Sequence, residues 1–330
     1  MVEPCLSVRN LTVEFAVEGG APARALESVS FELGRSEMLG LVGESGCGKS
    51  TTLMAVMRLL PASGRIVSGE AWFEGRDVWQ LPEREMRAVR WGKIAMVFQG
   101  AMNALNPVET VGSQIAEAIR LHEAVDRPEV ERRVDELFDR VGIARSRRRD
   151  YPHHFSGGMR QRAMIAMALA CRPSLLLADE PTTALDVMVQ AQVLDLLKSI
   201  RRDLGLSVIL VTHDLGVVAE ACDRVAVMYG GRVAESGVTE VVFNQPAHPY
   251  TQRLLEAFPA VSRPEVRPAS IPGAPPRPNA LPAGCRFAPR CHRVMDVCQT
   301  RPPELMALPG ARPAHEVACY LYPLPTEACA

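Results

Sequence analysis

The sequence predicts an α/β fold built on a parallel sheet, with a phosphate-binding loop between one of its strands and a helix. Three observations carry this. The apolar run Met38-Leu39-Gly40-Leu41-Val42 leads directly into Gly43-Glu44-Ser45-Gly46-Cys47-Gly48-Lys49-Ser50, and a helix-like segment, Thr51 to Met57, follows. Two further short runs, Leu175 to Ala178 and Val208 to Val211, are apolar at every position, as strands buried on both faces require. Between those two runs lies a helix-like segment, the alternation expected of a parallel α/β sheet.

The remaining elements follow in order. Leu6 to Phe15 and Val29 to Leu33 alternate apolar and polar residues, which predicts strands with one buried face, and Ile66 to Phe73 predicts another. Ile94 to Phe98 reads as a buried strand. From Asn106 to Cys171 the period changes: Val111, Ile115, Ala118 and Ile119, then Val130, Val134, Leu137, Phe138 and Val141, recur at helical spacing. This predicts a helical insert over about residues 100–172. Val225 to Tyr229, Gly230-Gly231 and Arg232 to Glu235 predict a hairpin.

Composition limits the classes open to the chain. Its 330 residues suggest about two domains. Charged residues are 23% and the formal net charge is -1, so no basic excess points to nucleic acid. No run approaches the ~18 uncharged apolar residues that span a bilayer, and the N-terminus lacks the layout of a signal peptide. The expectation is a cytosolic protein whose nine cysteines are core thiols or metal ligands. Seventeen of the 26 prolines and five of the nine cysteines lie beyond residue 245, where periodicity fades. The predicted division is therefore 1–245 and 246–330, the second part a small irregular Cys/Pro-rich domain or a linker with a disordered end.

The glycine-rich loop is a phosphate cradle. Glycines allow several backbone N–H groups to point at one anion, and a helix starting near Gly48 adds the positive end of its dipole. Lys49 would reach the β- and γ-phosphates and Ser50 would ligate Mg²⁺, with Gly43, Ser45, Gly46, Cys47, Gly48 and Thr51 completing the segment expected to contact a nucleotide triphosphate. Cys47, near a helix N-terminus, is expected to have an acidified, alkylation-sensitive thiol. Leu175 to Ala178 runs into Asp179-Glu180, two carboxylates at a strand end, where open α/β sheets bind ligands. Asp179 can hold Mg²⁺ through water, and Glu180 can act as general base on the attacking water.

Two more segments, His154-Phe155-Ser156-Gly157-Gly158-Met159-Arg160-Gln161-Arg162 and Asp179 to Asp186, give the chain a clear resemblance to the ABC-type ATPases. Ser156-Gly157-Gly158 matches that family's signature, with Met159 where glutamine is more usual, and places glycines at a helix start as a second anion site. The resemblance implies a P-loop NTPase core with an antiparallel β subdomain. It also implies that Gln99 senses Mg²⁺ and the attacking water, that Asp186 belongs to the nucleotide site, and that His213 contacts the γ-phosphate. Phe15 occupies the region of the adenine-stacking aromatic, but it shares a strand face with Leu11, Val13 and Val17, so a core role stays open.

Phe98 to Pro107 with Thr110-Val111-Gly112, Thr182 to Val187 with Gln190-Ala191-Gln192, and His248-Pro249-Tyr250-Thr251 look like the oligopeptide/dipeptide branch of bacterial importers. Gly100 and Ala101 depart from the Asp-Pro common there. That resemblance implies an ATP-hydrolysing subunit driving import of di- or oligopeptides, or alternatively of nickel or another small solute. It further implies two membrane-spanning permease subunits, a second ATPase subunit (same or sister chain) and an extracytoplasmic solute-binding protein. The protein would sit peripherally on the cytoplasmic face of the inner membrane, with ATP between the phosphate loop of one subunit and the signature of the other. The chain has neither the long coiled coil nor the second cassette of ABC ATPases that act on nucleic acid, so no nucleic-acid partner is expected. The presence of both Glu180 and His213 argues against a non-hydrolysing scaffold.

Cys285, Cys291, Cys298 and Cys319 follow the spacing C-x5-C-x6-C-x20-C. Four thiolates on a proline-rich, core-poor segment suggest a metal staple, although no tight C-x2-4-C pair is present. The family resemblance implies a [4Fe–4S] cluster, while zinc and unligated thiols remain open. Cys5, Cys171, Cys222 and Cys329 read as buried or incidental thiols. Every ATP motif precedes the tail, which predicts nucleotide binding independent of these cysteines.

Overall fold

The computed structural model describes residues 3–100, 104–183, 185–257, 270–308, 310 and 314–322. Ala101, Ala184 and Cys329 lie outside the described residues. The chain forms two compact units, one of Met1–Cys5, Leu33–Glu37 and Gln80–Val211, the other of Leu6–Glu32, Met38–Trp79 and Thr212–Ala330.

The second of these, the phosphate-loop unit, begins with β1 (Leu6–Phe15), β2 (Ala23–Leu33), β3 (Met38–Val42), α1 (Lys49–Val56), β4 (Gly64–Phe73) and β5 (Arg76–Asp77). Strands β2, β1, β4 and β5 form a four-stranded sheet, with β1 antiparallel to β4 from Leu6 opposite Phe73 to Phe15 opposite Gly64. This is the antiparallel subdomain the family resemblance implied. The alternation of β1 is interrupted by register shifts between Arg9 and Val13, and Asn10 takes a φ of 51° there. A bulge of this kind lets Leu11, Thr12, Val13 and Glu14 all be buried in succession, which strict alternation would forbid.

The other unit supplies α2 (Glu83–Val89), β6 (Ile94–Val97), α3 (Val111–His122), α4 (Arg127–Arg140), α5 (Gly157–Ala168), β7 (Leu175–Asp179), α6 (Val187–Leu204) and β8 (Ser207–Val211). Strands β6, β7 and β8 are parallel neighbours, with Ile94 opposite Leu175 and Leu175 opposite Ser207. All five residues of β7 and of β8 are buried, which explains their uninterrupted apolar sequence. The helices of the insert begin where side chains can satisfy orphan N–H groups: Thr110 accepts from Ser113, and Asp126 accepts from Glu129 at 3.0 Å.

The phosphate-loop unit is completed by α7 (Leu215–Ala221), β9 (Arg224–Tyr229), β10 (Arg232–Val238), α8 (Thr239–Asn244), α9 (Pro249–Ala257), α10 (Val297–Thr300), β11 (Met306–Ala307) and β12 (His315–Val317). Within it the strand order is β11-β12-β10-β9-β3, β3 running parallel to β9 and β9 pairing with β10 as the predicted hairpin. The proline-rich tail therefore contributes sheet that its composition did not predict. His315-Glu316-Val317 is a proline-free stretch, so each of its residues keeps the N–H donor that pairing with β10 and β11 requires.

Two carboxylates anchor the tail. Glu27 pairs with Arg24, Arg232 and Arg286; burial opposes its ionisation, yet the hydrogen bonds from Arg232 and Arg286 prevail and hold its pKa at about 2. Glu235 on β10 is fully buried and accepts from the backbone N–H of Ala247 (2.7 Å) and His248 (2.8 Å), with the His315 ring 2.7 Å away. His248 in turn accepts the Tyr250 N–H at its Nδ1, 3.0 Å away. No helix among the described residues is long and apolar enough to cross a membrane.

Burial pushes the pKa of His248 down from 6.5 to about 4, against the opposing pull of Glu235. The unfolded chain therefore binds an extra proton between those values, and the stability His248 contributes above pH 6.5 is lost as pH falls toward 4. One proton corresponds to at most ~1.4 kcal/mol per pH unit. Thermal unfolding followed across this range should show Tm falling as pH drops, and a His248→Gln variant should have a visibly flatter profile.

Candidate active site

The phosphate loop leaves β3 through Gly43, whose φ is 147° and whose Cα could carry no side chain, since a Cβ would lie 2.1 Å from the Met228 carbonyl oxygen. The loop then curls back on Lys49. The Lys49 ammonium donates to the carbonyl oxygens of Gly43 (2.7 Å) and Glu44 (3.1 Å), and the residue is only 6% exposed. The Cys47 N–H donates to Glu44 O at 3.2 Å, and Gly231 N–H donates to Cys47 O at 3.1 Å, tying the loop to the β9–β10 turn. Ser45 and Gly46 are exposed at the loop tip, Gly48 caps α1, and Ser50 and Thr51 stand half-buried on its first turn. The start of α1 carries no acidic residue, so nothing there opposes an anion at the positive end of the helix.

Cys47 departs from expectation. It is 4% exposed, and burial raises its thiol pKa even though the Lys49 ammonium lies 3.7 Å away and favours the thiolate. Helix position and a neighbouring cation thus fail to acidify a thiol that water cannot reach.

His213 follows β8 and is exposed, ahead of α7, whose cap Asp214 accepts from Gly216 (2.8 Å) and Val217 (3.3 Å). Phe15 ends β1 half-buried opposite Gly64, whereas Leu11 and Val13 on the same strand are fully buried. Its ring is therefore not part of the closed core row that the sequence allowed.

The other unit holds the predicted acid pair and signature. Asp179 is the last residue of β7 and is buried. Glu180 has a φ of 46°, in the left-handed region that a non-glycine residue occupies at a cost of ~1–3 kcal/mol. Its N–H donates to Val211 O at 2.9 Å, and its Oε2 accepts from Gln99 Nε2 (3.0 Å) and Thr183 Oγ1 (2.9 Å). Gln99 and Glu180, 81 residues apart in the chain, are thus brought together. Ser156 caps α5 by accepting from Met159 N–H at 3.3 Å, with Gly157 and Gly158 in the first turn. Asp186 caps α6 by accepting from Val189 N–H at 2.9 Å, the ordinary work of an N-cap aspartate.

Cys285, Cys291, Cys298 and Cys319 line a single small pocket together with His248 and Phe287. The Cys285 N–H donates to Cys298 O at 2.7 Å, and that close approach needs Gly284, where a Cβ would lie 2.2 Å from the same oxygen. Burial raises the thiol pKa of Cys285 and Cys291, and takes that of Cys319 up to about 11. Among the described residues, no group of three or more His, Cys, Asp or Glu side chains is disposed to hold a metal ion. The expected staple is therefore absent as a ready coordinating group, and the structure supplies only the shared pocket. Cys5, Cys171 and Cys222 are buried thiols, as the sequence suggested.

Two residues that the sequence did not assign to the site touch the loop. Tyr250 accepts the Glu44 N–H at its hydroxyl, 3.0 Å away, and Arg290 pairs with the Glu44 carboxylate. Tyr250 was legible only inside His248 to Thr251, and Arg290 only as a basic residue between two cysteines.

A strand, a glycine-rich loop closed on a buried lysine, and an acid pair at a second strand end define a P-loop ATPase. The ABC transporter family matches residues 26–183, and the oligopeptide/dipeptide transporter C-terminal region matches residues 234–298. The chain is 48% identical over 319 residues to a probable peptide ABC transporter ATP-binding protein of Sinorhizobium fredii, covering 96% of this chain and 94% of that one. It is 48% identical over 307 residues to the oligopeptide transport ATP-binding protein of Salmonella typhimurium, covering 92% and 91%. A solved dimeric post-hydrolysis ATP-binding cassette, MJ0796 bound to ADP and phosphate, matches with a TM-score of 0.63 and 28% identity over 71% of this chain and 98% of that one. This chain belongs to the ABC transporter ATP-binding proteins.

The burial of Cys47 sets its reactivity. Peptide-resolved alkylation with iodoacetamide at pH 7.5 should label Cys47 at least ~10-fold more slowly than a free cysteine peptide. Labelling as fast as the free peptide would mean that the loop opens and the thiol is not held as described.

Proposed function

We propose that this chain is the ATP-hydrolysing subunit of an importer for di- or oligopeptides. The observation that carries the reading is the pairing, in one chain, of an ABC transporter match with a match to the oligopeptide/dipeptide transporter C-terminal region. Relatives named for oligopeptide and dipeptide transport support the same solute class, the dipeptide transport ATP-binding protein of Bacillus subtilis being 46% identical over 326 residues. Nickel or another small solute is the second reading, because an ATPase subunit need not touch its cargo. The partners would be two membrane-spanning permeases, a second ATPase subunit and an extracytoplasmic solute-binding protein, with this chain peripheral on the cytoplasmic face of the inner membrane. Residues 1–245 would form the ATPase domain and 246–330 the importer-type extension.

In this reading the backbone of Gly43 and Ser45 to Gly48 cradles the phosphates, Lys49 neutralises them, and Thr51 adds a hydroxyl. Phe15, half-buried at the end of β1, would stack on the adenine. Ser156, Gly157 and Gly158 of a second subunit would close on the γ-phosphate at the start of α5, with Asp186 beside them. Ser50, Asp179 and Gln99 are the oxygen-bearing groups suited to Mg²⁺, which would supply charge neutralisation on the transferred phosphoryl group. Glu180 takes a proton from the attacking water while Gln99 and Thr183 hold its carboxylate in place. His213 donates to the γ-phosphate. Closure of the subunit pair on ATP and its reopening after hydrolysis would drive alternating access in the permeases.

The four cysteines are assigned to an iron–sulfur cluster on the family resemblance. They line one pocket, and a [4Fe–4S] cluster is held by four thiolates. Cys285, Cys291, Cys298 and Cys319 would hold it, and its contribution would be to staple the tail.

Glu180→Gln should keep ATP binding while cutting hydrolysis by on the order of 10² to 10⁴, and a strain carrying it should lose uptake of a labelled dipeptide or tripeptide. Hydrolysis near the wild-type rate would show that another group activates water; intact peptide uptake with lost nickel uptake would favour the second reading. Protein purified without air should be brown and contain about four iron and four sulfide per chain, and Cys298→Ser should bleach it. Stoichiometric zinc without iron would remove the cluster from this reading.

A further inference from the structure

The cysteine-bearing part of the tail reaches the phosphate loop through Arg290. Arg290 lies between Cys285 and Cys291, in the short turn Ala288–Arg290, and is 5% exposed. Its guanidinium forms a fork on Glu44, Nη1 to Oε2 at 2.6 Å and Nη2 to Oε1 at 3.0 Å. The remaining donors are also engaged: Nε with Pro272 O (2.7 Å), Nη1 with Tyr229 Oη (3.0 Å) and Nη2 with Ile271 O (3.2 Å). A guanidinium held at this many points has one orientation, and it fixes Glu44 in turn.

Glu44 is no bystander. Its carbonyl accepts from the Lys49 ammonium, and its N–H is held by Tyr250. Tyr250 packs against Tyr229 with ring centroids 4.5 Å apart, and Phe287, on the cysteine loop, meets both rings at 5.2 and 5.4 Å. Phe287 also lines the cysteine pocket. The loop residue that positions Lys49 is therefore clamped from two sides, by Arg290 through its side chain and by Tyr250 through its backbone.

We propose that Arg290 is a positioning residue for nucleotide binding, holding the phosphate loop in its ATP-competent shape from within the four-cysteine tail. The inference rests on the loop being the ATP site and requires no assumption about what the cysteines bind. A loop competent only about one-tenth of the time binds about tenfold more weakly, since apparent affinity scales with the competent fraction.

The test is calorimetric titration of MgATP into the full-length chain, with Tm measured alongside. ATP binding by the wild type checks the underlying reading separately. Arg290→Gln should raise Kd about tenfold and raise KM for ATP while kcat at saturating ATP is retained; Arg290→Lys, which keeps the charge but not the fork, should fall between. Arg286→Gln is the control, because Arg286 anchors the same tail to Glu27 and makes no contact with Glu44. It should lower Tm and leave Kd unchanged. A wild-type Kd in folded Arg290→Gln, or an equal rise in Arg286→Gln, would overturn the proposal, the second by showing that any loosening of the tail has the same effect.

Discussion

A buried ammonium organises the phosphate-loop unit. Lys49 is 6% exposed, and a cation taken out of water must find acceptors nearby or destabilise the fold by several kcal/mol. Its acceptors are the carbonyls of Gly43 and Glu44, so the loop has to curl around the side chain that follows it. That curl is open only to a glycine at position 43, with φ at 147° and a backbone oxygen where a Cβ would stand. The buried lysine and the glycine are thus parts of one geometry.

The other unit spends conformational energy differently. Its strands β7 and β8 are buried from end to end, and at the point where β7 stops, Glu180 is held at a φ of 46°. The surrounding bonds, from its N–H to Val211 and from Gln99 and Thr183 to its carboxylate, over-determine a conformation the residue would not choose alone. Strain that fixes a carboxylate at a strand end suits a group whose direction matters more than its freedom. Ser156 and Asp186 show the opposite economy, each serving as an ordinary helix cap.

The tail is stabilised by polar contacts more than by a core of its own. Glu27 gathers Arg24, Arg232 and Arg286, and Glu235 gathers two backbone N–H groups and the His315 ring. These carboxylates lie on β2 and β10, so the proline-rich segment is attached to strands that it could not have formed itself. The match to the oligopeptide/dipeptide transporter C-terminal region covers residues 234–298, which includes Glu235, His248, Tyr250 and Arg290. Its boundaries thus run across the hydrogen-bonded framework as well as three of the four cysteines.

The sequence by itself determined what depends on neighbours along the chain. Period and composition located β3, β7, β8 and the helices of the insert, because the face a residue buries recurs every two or 3.6 residues. The loop and the acid pair were legible for the same reason, since their chemistry is written in consecutive letters. The bulge in β1, the fourfold burial from Leu11 to Glu14, and the strand at His315 were not, because each depends on what the opposing strand provides. Only the tertiary structure decided that Arg290 would meet Glu44 across 246 residues, or that Cys47 would be too dry to ionise easily. Contact partners and desolvation are set by the path of the whole chain, and no local pattern encodes that path.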